Sequence, residues 1–112
     1  MNFKMNNRNW KIQELSQEEI REMYKNYKYD GELESGKYFG LTYLDKQVII
    51  IDKDLHPEQK KATLLHELMH CFIGCYGFSS SHDTYSEEDL CNLSSNSHQV
   101  IHNIVEEYFE NK

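Results

Sequence analysis

Positive charge is scarce in this chain. Its 112 residues include 12 Lys and Arg against 19 Asp and Glu, which gives a formal charge of −7 at pH 7 and a pI near 5.3. The basic residues are scattered along the sequence. Because a nucleic-acid-binding surface needs clustered Lys and Arg side chains, we expect no direct contact with DNA or RNA.

Long apolar runs and paired cysteines are also lacking. No stretch approaches the roughly 20 apolar residues of a membrane span, and residues 1–8 have no apolar core of the kind a secretory signal needs. We therefore expect a cytoplasmic protein with no membrane partner. The three cysteines are an odd number, which argues against a disulfide framework. Cys71 and Cys75 could share one helix face and take a metal, but small buried apolar groups are the expected role of such thiols.

Repeats and linkers are absent, so the length predicts one domain over residues 1–112, expected to be monomeric. Ser16-Gln17-Glu18-Glu19 forms a capping box before a helix, and Asp45-Lys46-Gln47 separates two strand-like runs as a hairpin turn would. The pattern predicts an α+β fold, in which about three strands pack against a central helix and a long C-terminal helix. The predicted strands are 10–15, 38–44 and 48–52, and the predicted helices are 16–27, 58–76 and one beginning near Ser86.

The central helix carries the H-E-x-x-H motif as His66, Glu67 and His70. Residues four apart lie on one helix face, so His66 and His70 can direct ring nitrogens at one Zn²⁺ ion. Glu67 can then take a proton from water held there. Apolar residues surround the motif at helical spacing and predict a buried helix, in which these polar groups need a partner. A metal is the simplest such partner.

A catalytic zinc site needs a third protein ligand, with the fourth position left for water. Glu88 follows His70 by 18 residues and shares a helix face with Asn92, whose amide oxygen could accept the other N–H of a ligand histidine. Glu88 is the favoured ligand by this interpretation, and the alternatives are His82, Asp83 and Glu87. A metzincin is excluded, because that class would have Gly at position 73 and His at position 76, where this chain has Ile73 and Tyr76.

Residues 54–70 and 88–92 (E-D-L-C-N) resemble the small zinc metallopeptidases of the ImmA/IrrE-like type, many of them encoded by bacteriophages and mobile elements. Members carry H-E-x-x-H on one helix and a zinc-binding Glu on the next, as gluzincins do. The resemblance covers roughly residues 37–110. It implies Glu88 as the third zinc ligand and Asn92 as its companion, and it implies a substrate that is a regulatory protein such as a repressor.

These observations predict a zinc-dependent peptidase. Zinc held by two histidines and a carboxylate lowers the pKa of its bound water, and Glu67 acts as the base that removes the proton. Tyr85 is a possible donor to the oxyanion, with Tyr76 and His82 as further candidates. We expect the protein or peptide substrate to add as an extended strand to a sheet edge.

Two alternatives compete with this prediction. In one, zinc is structural and the domain binds a host or phage protein without cleaving it, which requires a fourth protein ligand that closes the site. In the other, the motif occurs by chance and the fold is metal-free. A further pair, His98 and His102 with Glu106 one turn on, could form a second metal site, although a solvent-exposed polar face is the favoured interpretation.

Overall fold

The computed structural model describes residues 1–26, 39–76 and 87–110, with the side chains of residues 24–26 and 87–90 outside the description. The described part forms an α+β fold, as predicted, in which helices cover both faces of a small mixed sheet. None of its helices combines the length and apolar character needed to cross a membrane. The elements are β1 (Asn2–Met5), β2 (Arg8–Leu15), α1 (Gln17–Asn26), β3 (Gly40–Tyr43), β4 (Val48–Asp52), α2 (Pro57–Tyr76) and α3 (Glu87–Glu110).

The sheet has the strand order β1-β2-β4-β3. Strands β2 and β4 pair in parallel at its centre, and β1 and β3 add antiparallel on either side. The prediction of about three strands was one strand short, because β1 was not recognised. Asn6 and Asn7 join β1 to β2 with φ of 50° and 63°. Two successive residues with positive φ form the tight turn that matches the twist of a hairpin, and Asn tolerates this conformation well.

The central strand β4 is apolar on both sides, as its sequence predicted. Ile49 and Ile51 face α2 and α3, whereas Ile50 faces α1, and all three are fully buried. Successive strand residues point to opposite sides of a sheet, so each helical layer receives alternate residues from β4. The same alternation directs Gly40 and Thr42 of β3 toward α2, and Leu44 in the turn after β3 points the same way.

The capping box and the helix it begins are confirmed. The Glu19 backbone N–H donates to Ser16 Oγ at 3.2 Å, and the Ser16 backbone N–H donates to Glu19 Oε1 at 3.2 Å. The Ser16 hydroxyl also donates to Glu19 Oε1 at 3.0 Å, and the backbone and hydroxyl donors of Ser16 together lower the pKa of the Glu19 carboxyl group. Ile20 and Leu15, on either side of the box, both pack in the apolar cluster between α1 and the sheet.

Polar contacts fix both ends of α2. Near its start, Lys60 Nζ donates to Glu14 Oε1 of β2 at 2.8 Å, and the hydroxyl of Tyr108 from α3 donates to the other oxygen of Glu14. Burial raises the pKa of the Tyr108 hydroxyl. At the other end, Asn6 Nδ2 donates to the carbonyl oxygen of Cys75 at 2.7 Å. The helix that carries the H-E-x-x-H motif is therefore joined to the sheet at both ends.

Strand β3 lies unusually close to α2 at Gly40. A Cβ atom at this position would lie 2.8 Å from Thr63 Cγ2, 3.0 Å from Glu67 Cγ and 3.1 Å from the carbonyl oxygen of Ile50. The first two atoms belong to buried side chains of α2 and the third to the backbone of the paired strand, so none of them has open space to move into. At Gly74, a Cβ atom would overlap only the side chain of Leu44, which is 46% exposed and free to rotate.

The two glycines predict different responses to alanine. Gly40→Ala should lower the free energy of unfolding by about 1–3 kcal/mol, because β3 must move away from α2. Gly74→Ala should change it by no more than about 1 kcal/mol, since the better helix propensity of alanine offsets the displacement of Leu44. Urea denaturation of both variants measures the difference. Equal losses in the two variants would contradict the close approach at Gly40.

Candidate active site

One turn of α2 brings two imidazoles together. His66 Nε2 and His70 Nε2 lie 3.2 Å apart, and the two rings meet edge to face with centroids 4.8 Å apart. Two nitrogen ligands on a tetrahedral zinc ion, at bond lengths of about 2.0–2.1 Å, are roughly 3.3 Å apart. Both histidines are exposed. The separation of their nitrogens therefore suits a shared metal ion that is reached from solvent.

Small residues flank the imidazoles on the same helix face. Ala62 lies one turn before His66, and Gly74 lies one turn after His70. Neither can place a bulky side chain over the rings. The helix itself therefore leaves space on both sides of the imidazole pair and offers no third metal-binding side chain in this row.

Glu67 faces β3, about 100° around α2 from His66, and lines the same hollows as that histidine. Its side chain is only 7% exposed, and Thr42 Oγ1 of β3 lies 2.7 Å from its Oε1. The same hydroxyl lies 3.2 Å from the carbonyl oxygen of Glu67. A buried carboxylate needs such donors, because burial without a hydrogen bond is costly. The Glu67 carboxylate thus belongs to the seam between β3 and α2.

Two open hollows lie along this seam, and both are lined by Gly40, His66 and Glu67. One has a volume of about 400 Å³ and the other of about 630 Å³, within the usual range for ligand sites. An extended chain lying along β3 would pass Glu67 and the imidazoles between the two hollows. The first hollow is completed by Phe39, Gln59, Ala62 and Thr63, and the second by Leu41, Thr42, Leu44, Asp45, His70, Ile73 and Gly74.

The remaining predicted site residues follow α2 in the chain. Glu88 belongs to α3, with its side chain outside the described residues, and Tyr85, His82 and Asp83 lie wholly outside them. Within the described ranges, no three His, Cys, Asp or Glu side chains are grouped around a possible metal position. The role of Glu88 as third ligand therefore stays a prediction.

Two other predicted positions can be located. Asn92 has an exposed side chain in the second turn of α3, and its carbonyl oxygen accepts a hydrogen bond from Ser95 Oγ at 3.2 Å. Its contact with a ligand imidazole stays a prediction. Tyr76 is 42% exposed at the end of α2, where its ring packs on Phe72 with centroids 4.5 Å apart.

The second histidine pair is exposed on α3, at the edge of a hollow between α2 and α3. The rings of His98 and His102 stack with centroids 5.9 Å apart, and His102 Nε2 lies 3.1 Å from Glu106 Oε1. Both residues of the His102–Glu106 pair have side chains more than half exposed. This arrangement agrees with the solvent-exposed polar face that was the favoured interpretation.

The family of the chain follows from comparison with known proteins. A family model described as the IrrE N-terminal-like domain, peptidase M78, matches residues 25–92, which is more than half of the chain. The chain belongs to this peptidase family. The expected resemblance to ImmA/IrrE-like proteins is thereby confirmed, and the matched region contains both H-E-x-x-H and Glu88 to Asn92. No curated protein and no solved structure gives a significant match.

Family membership makes a metallopeptidase-type function the natural assignment, since this peptidase family is generally metal-dependent. The donors present fit such a metal. Imidazole nitrogen is a preferred ligand of zinc, and the spacing of the two Nε2 atoms matches a tetrahedral ion.

Two features of the site were not predicted from the sequence. They are the contact of the Thr42 hydroxyl with Glu67 and the close approach of β3 to α2 at Gly40. Both belong to a strand that the sequence did predict, and alternation places them on one face of it. The pattern of residues does not indicate which face of a short edge strand meets α2. Residues 42 and 67 are 25 positions apart, so their contact depends on tertiary packing.

The three thiols differ in exposure. Cys71 and Cys75 were predicted to be small buried apolar groups. Cys71 and Cys75 are buried and Cys91 is exposed. Burial raises the pKa of the Cys71 thiol, and the neighbouring Cys75 raises it further. Cys71 Sγ packs 3.6 Å from Met5 Sδ of β1, in the core between the sheet and α2.

We predict that one thiol of the native protein reacts rapidly with a thiol reagent at pH 8, namely Cys91. Cys71 and Cys75 should react at least about 100-fold more slowly, since burial limits the access of the reagent to both thiols and also raises the pKa of Cys71. Mass spectrometry of the labelled protein measures this, with Cys91→Ser as the control that removes the fast phase. Rapid labelling of two or more thiols without denaturant would contradict the packing of Cys71 and Cys75.

Proposed function

We propose that this chain is a zinc-dependent peptidase that hydrolyses a peptide bond in a regulatory protein of the repressor type. The observation that carries the proposal is the single turn of α2 in which two imidazole nitrogens lie 3.2 Å apart beside a buried carboxylate. Membership of a peptidase family supports hydrolysis. The net charge of −7 and the resemblance to ImmA/IrrE-like proteins support a protein substrate rather than DNA itself.

In the proposed site, His66 and His70 hold the ion through their Nε2 atoms, and Glu88 supplies the third ligand. The bound ion supplies Lewis-acid chemistry, which makes water more acidic and polarises a carbonyl group. Ala62 keeps the approach to the imidazoles open on one side, whereas the exposed side chain of Leu44 lies over Gly74 on the other side.

Glu67 is the proposed general base. It takes a proton from the attacking water and later gives that proton to the leaving amine nitrogen of the cleaved peptide. Because it follows His66 directly in the chain, Glu67 would lie near a bound ion without being one of its ligands. Burial to 7% exposure shields the carboxylate from bulk water, which strengthens its interaction with nearby donors.

Strand β3 is the proposed docking edge for the substrate. It ends the described sheet on the side where both hollows lie. An extended peptide pairing with β3 gains backbone hydrogen bonds, while its alternate side chains enter the hollows. The scissile bond would then lie beside His66 and Glu67, which line both hollows.

Glu67→Gln should abolish most cleavage without removing zinc. We expect the rate of repressor cleavage to fall by about 10²–10⁴-fold, because glutamine keeps the shape and the acceptor oxygen but cannot take up a proton. Zinc-loaded wild type, Glu67→Gln and the control Glu58→Gln, an exposed first-turn position of α2, are incubated with candidate repressors and compared by gel.

Equal cleavage by wild type and Glu67→Gln would exclude Glu67 as the base. Stoichiometric zinc with no cleavage by wild type would instead favour the non-catalytic binding domain. That alternative also requires a fourth protein ligand, which zinc-edge X-ray absorption spectroscopy would detect as an added protein donor.

Zinc affinity tests the ligand set directly. Asn92→Ala should lower zinc affinity by roughly 10- to 100-fold, because Asn92 would act only through a hydrogen bond to a ligand. His66→Ala and Glu88→Ala should lower zinc affinity by more than this, because each removes a bond to the metal. Glu87→Ala is the matched control and should bind zinc as wild type does. Competition with a chromophoric chelator measures all four.

A large loss of zinc affinity in Glu87→Ala, together with normal zinc affinity in Glu88→Ala, would show that Glu87 is the third ligand instead of Glu88. Unchanged zinc affinity in His66→Ala would contradict metal binding at the H-E-x-x-H motif.

A further inference from the structure

The hydroxyl of Thr42 reaches across the seam between β3 and α2 to the proposed general base. Its Oγ1 lies 2.7 Å from Glu67 Oε1 and 3.2 Å from the carbonyl oxygen of Glu67. A threonine hydroxyl has one proton to donate, and both the shorter distance and the charge of a carboxylate favour donation to Oε1. Among the described groups, which leave out the side chains of residues 24–26 and 87–90, no hydrogen bond reaches the other oxygen, Oε2.

We propose that Thr42 is a positioning residue for Glu67. By holding Oε1, the Thr42 hydroxyl fixes the rotation of the carboxylate and leaves Oε2 as the oxygen that accepts the proton from water. This inference rests on the proposed function, because it assigns a role within the same hydrolysis. It adds a strand residue to a motif that otherwise lies on a helix.

Thr42 is itself held firmly enough to serve this purpose. It pairs with Ile49 of β4 in the antiparallel register of β3, and its β-branched side chain has few accessible rotamers. Gly40, two residues earlier on the same face, allows the strand to approach Glu67 without an intervening side chain. The donor is thus fixed by the sheet, independently of α2.

The Glu67 carboxylate needs an external restraint. The last torsion of a glutamate side chain is broad and roughly two-fold, so the orientation of the two oxygens is not set by the helix. A displacement of about 1 Å in a reacting group can cost about 10²-fold in rate. Removing the Thr42 hydroxyl should therefore lower turnover and leave the binding of zinc and substrate nearly unchanged.

The test compares Thr42→Val, which removes the hydroxyl at similar volume, with Thr42→Ser, which keeps it. The zinc-loaded variants are assayed on the repressor that the wild-type protein cleaves. We expect Thr42→Val to lower kcat by about 10- to 100-fold, with KM changed less than about threefold and zinc content equal to wild type. Thr42→Ser should keep at least about a third of the wild-type kcat.

A second measurement needs no substrate. Urea midpoints are compared for wild type, Thr42→Val, Glu67→Leu and the double variant, all with excess zinc. Because the two side chains interact directly, we expect the shift of the double variant to differ from the sum of the single shifts. Additive shifts would overturn the inference.

Other outcomes also decide the matter. An unchanged kcat in Thr42→Val, or equal losses in Thr42→Val and Thr42→Ser, would overturn the role of the hydroxyl while leaving the proposed peptidase intact. Zinc-loaded wild-type protein that cleaves no repressor would overturn the proposed function, and the positioning role with it. The wild-type assay therefore separates the two failures.

Discussion

The candidate site depends on how closely strand β3 approaches helix α2. At Gly40 there is no room even for a methyl group, and two residues later the Thr42 hydroxyl meets the Glu67 carboxylate at 2.7 Å. The Glu67 carboxylate is only 7% exposed, and this contact supplies it with a hydrogen-bond donor. Since the cost of burying a charge falls only when it is paired or hydrogen-bonded, the close approach is what allows an acid to lie beside exposed imidazoles.

The sheet makes this approach rigid. Strand β4 is buried on both sides, pairs in parallel with β2 and antiparallel with β3, and gives its alternate residues to the two helical layers. On one layer, Lys60 and Tyr108 both bond to Glu14 of β2, which joins the start of α2 and the end of α3 to the same strand. The seam between β3 and α2 is therefore held by the whole sheet, and a change at Gly40 or Thr42 should be felt at Glu67.

Local patterns in the sequence predicted much of this fold, because they depend on neighbours in the chain. The capping box at Ser16, the apolar strand β4 and the helical periodicity of α2 and α3 are such patterns. Strand β1 was missed although Asn6 and Asn7 carry a turn signal, since a four-residue strand offers little alternation to recognise. The hydrogen bond from Thr42 to Glu67 could not be predicted, because it depends on which strand packs on α2 and in which register.

The row of residues Ala62, His66, His70 and Gly74 on α2 shows which side chains this helix can offer to the proposed metal site. Residues four apart share a face, so this row places a methyl group and a hydrogen atom on either side of the two imidazoles. The two hollows lie along this row, with Ala62 in the lining of one and Gly74, covered by the side chain of Leu44, in the lining of the other. The row also contains no further metal-binding side chain, and Glu67 and Thr42 are already joined to each other. A third ligand of the proposed metal ion would therefore have to come from another element.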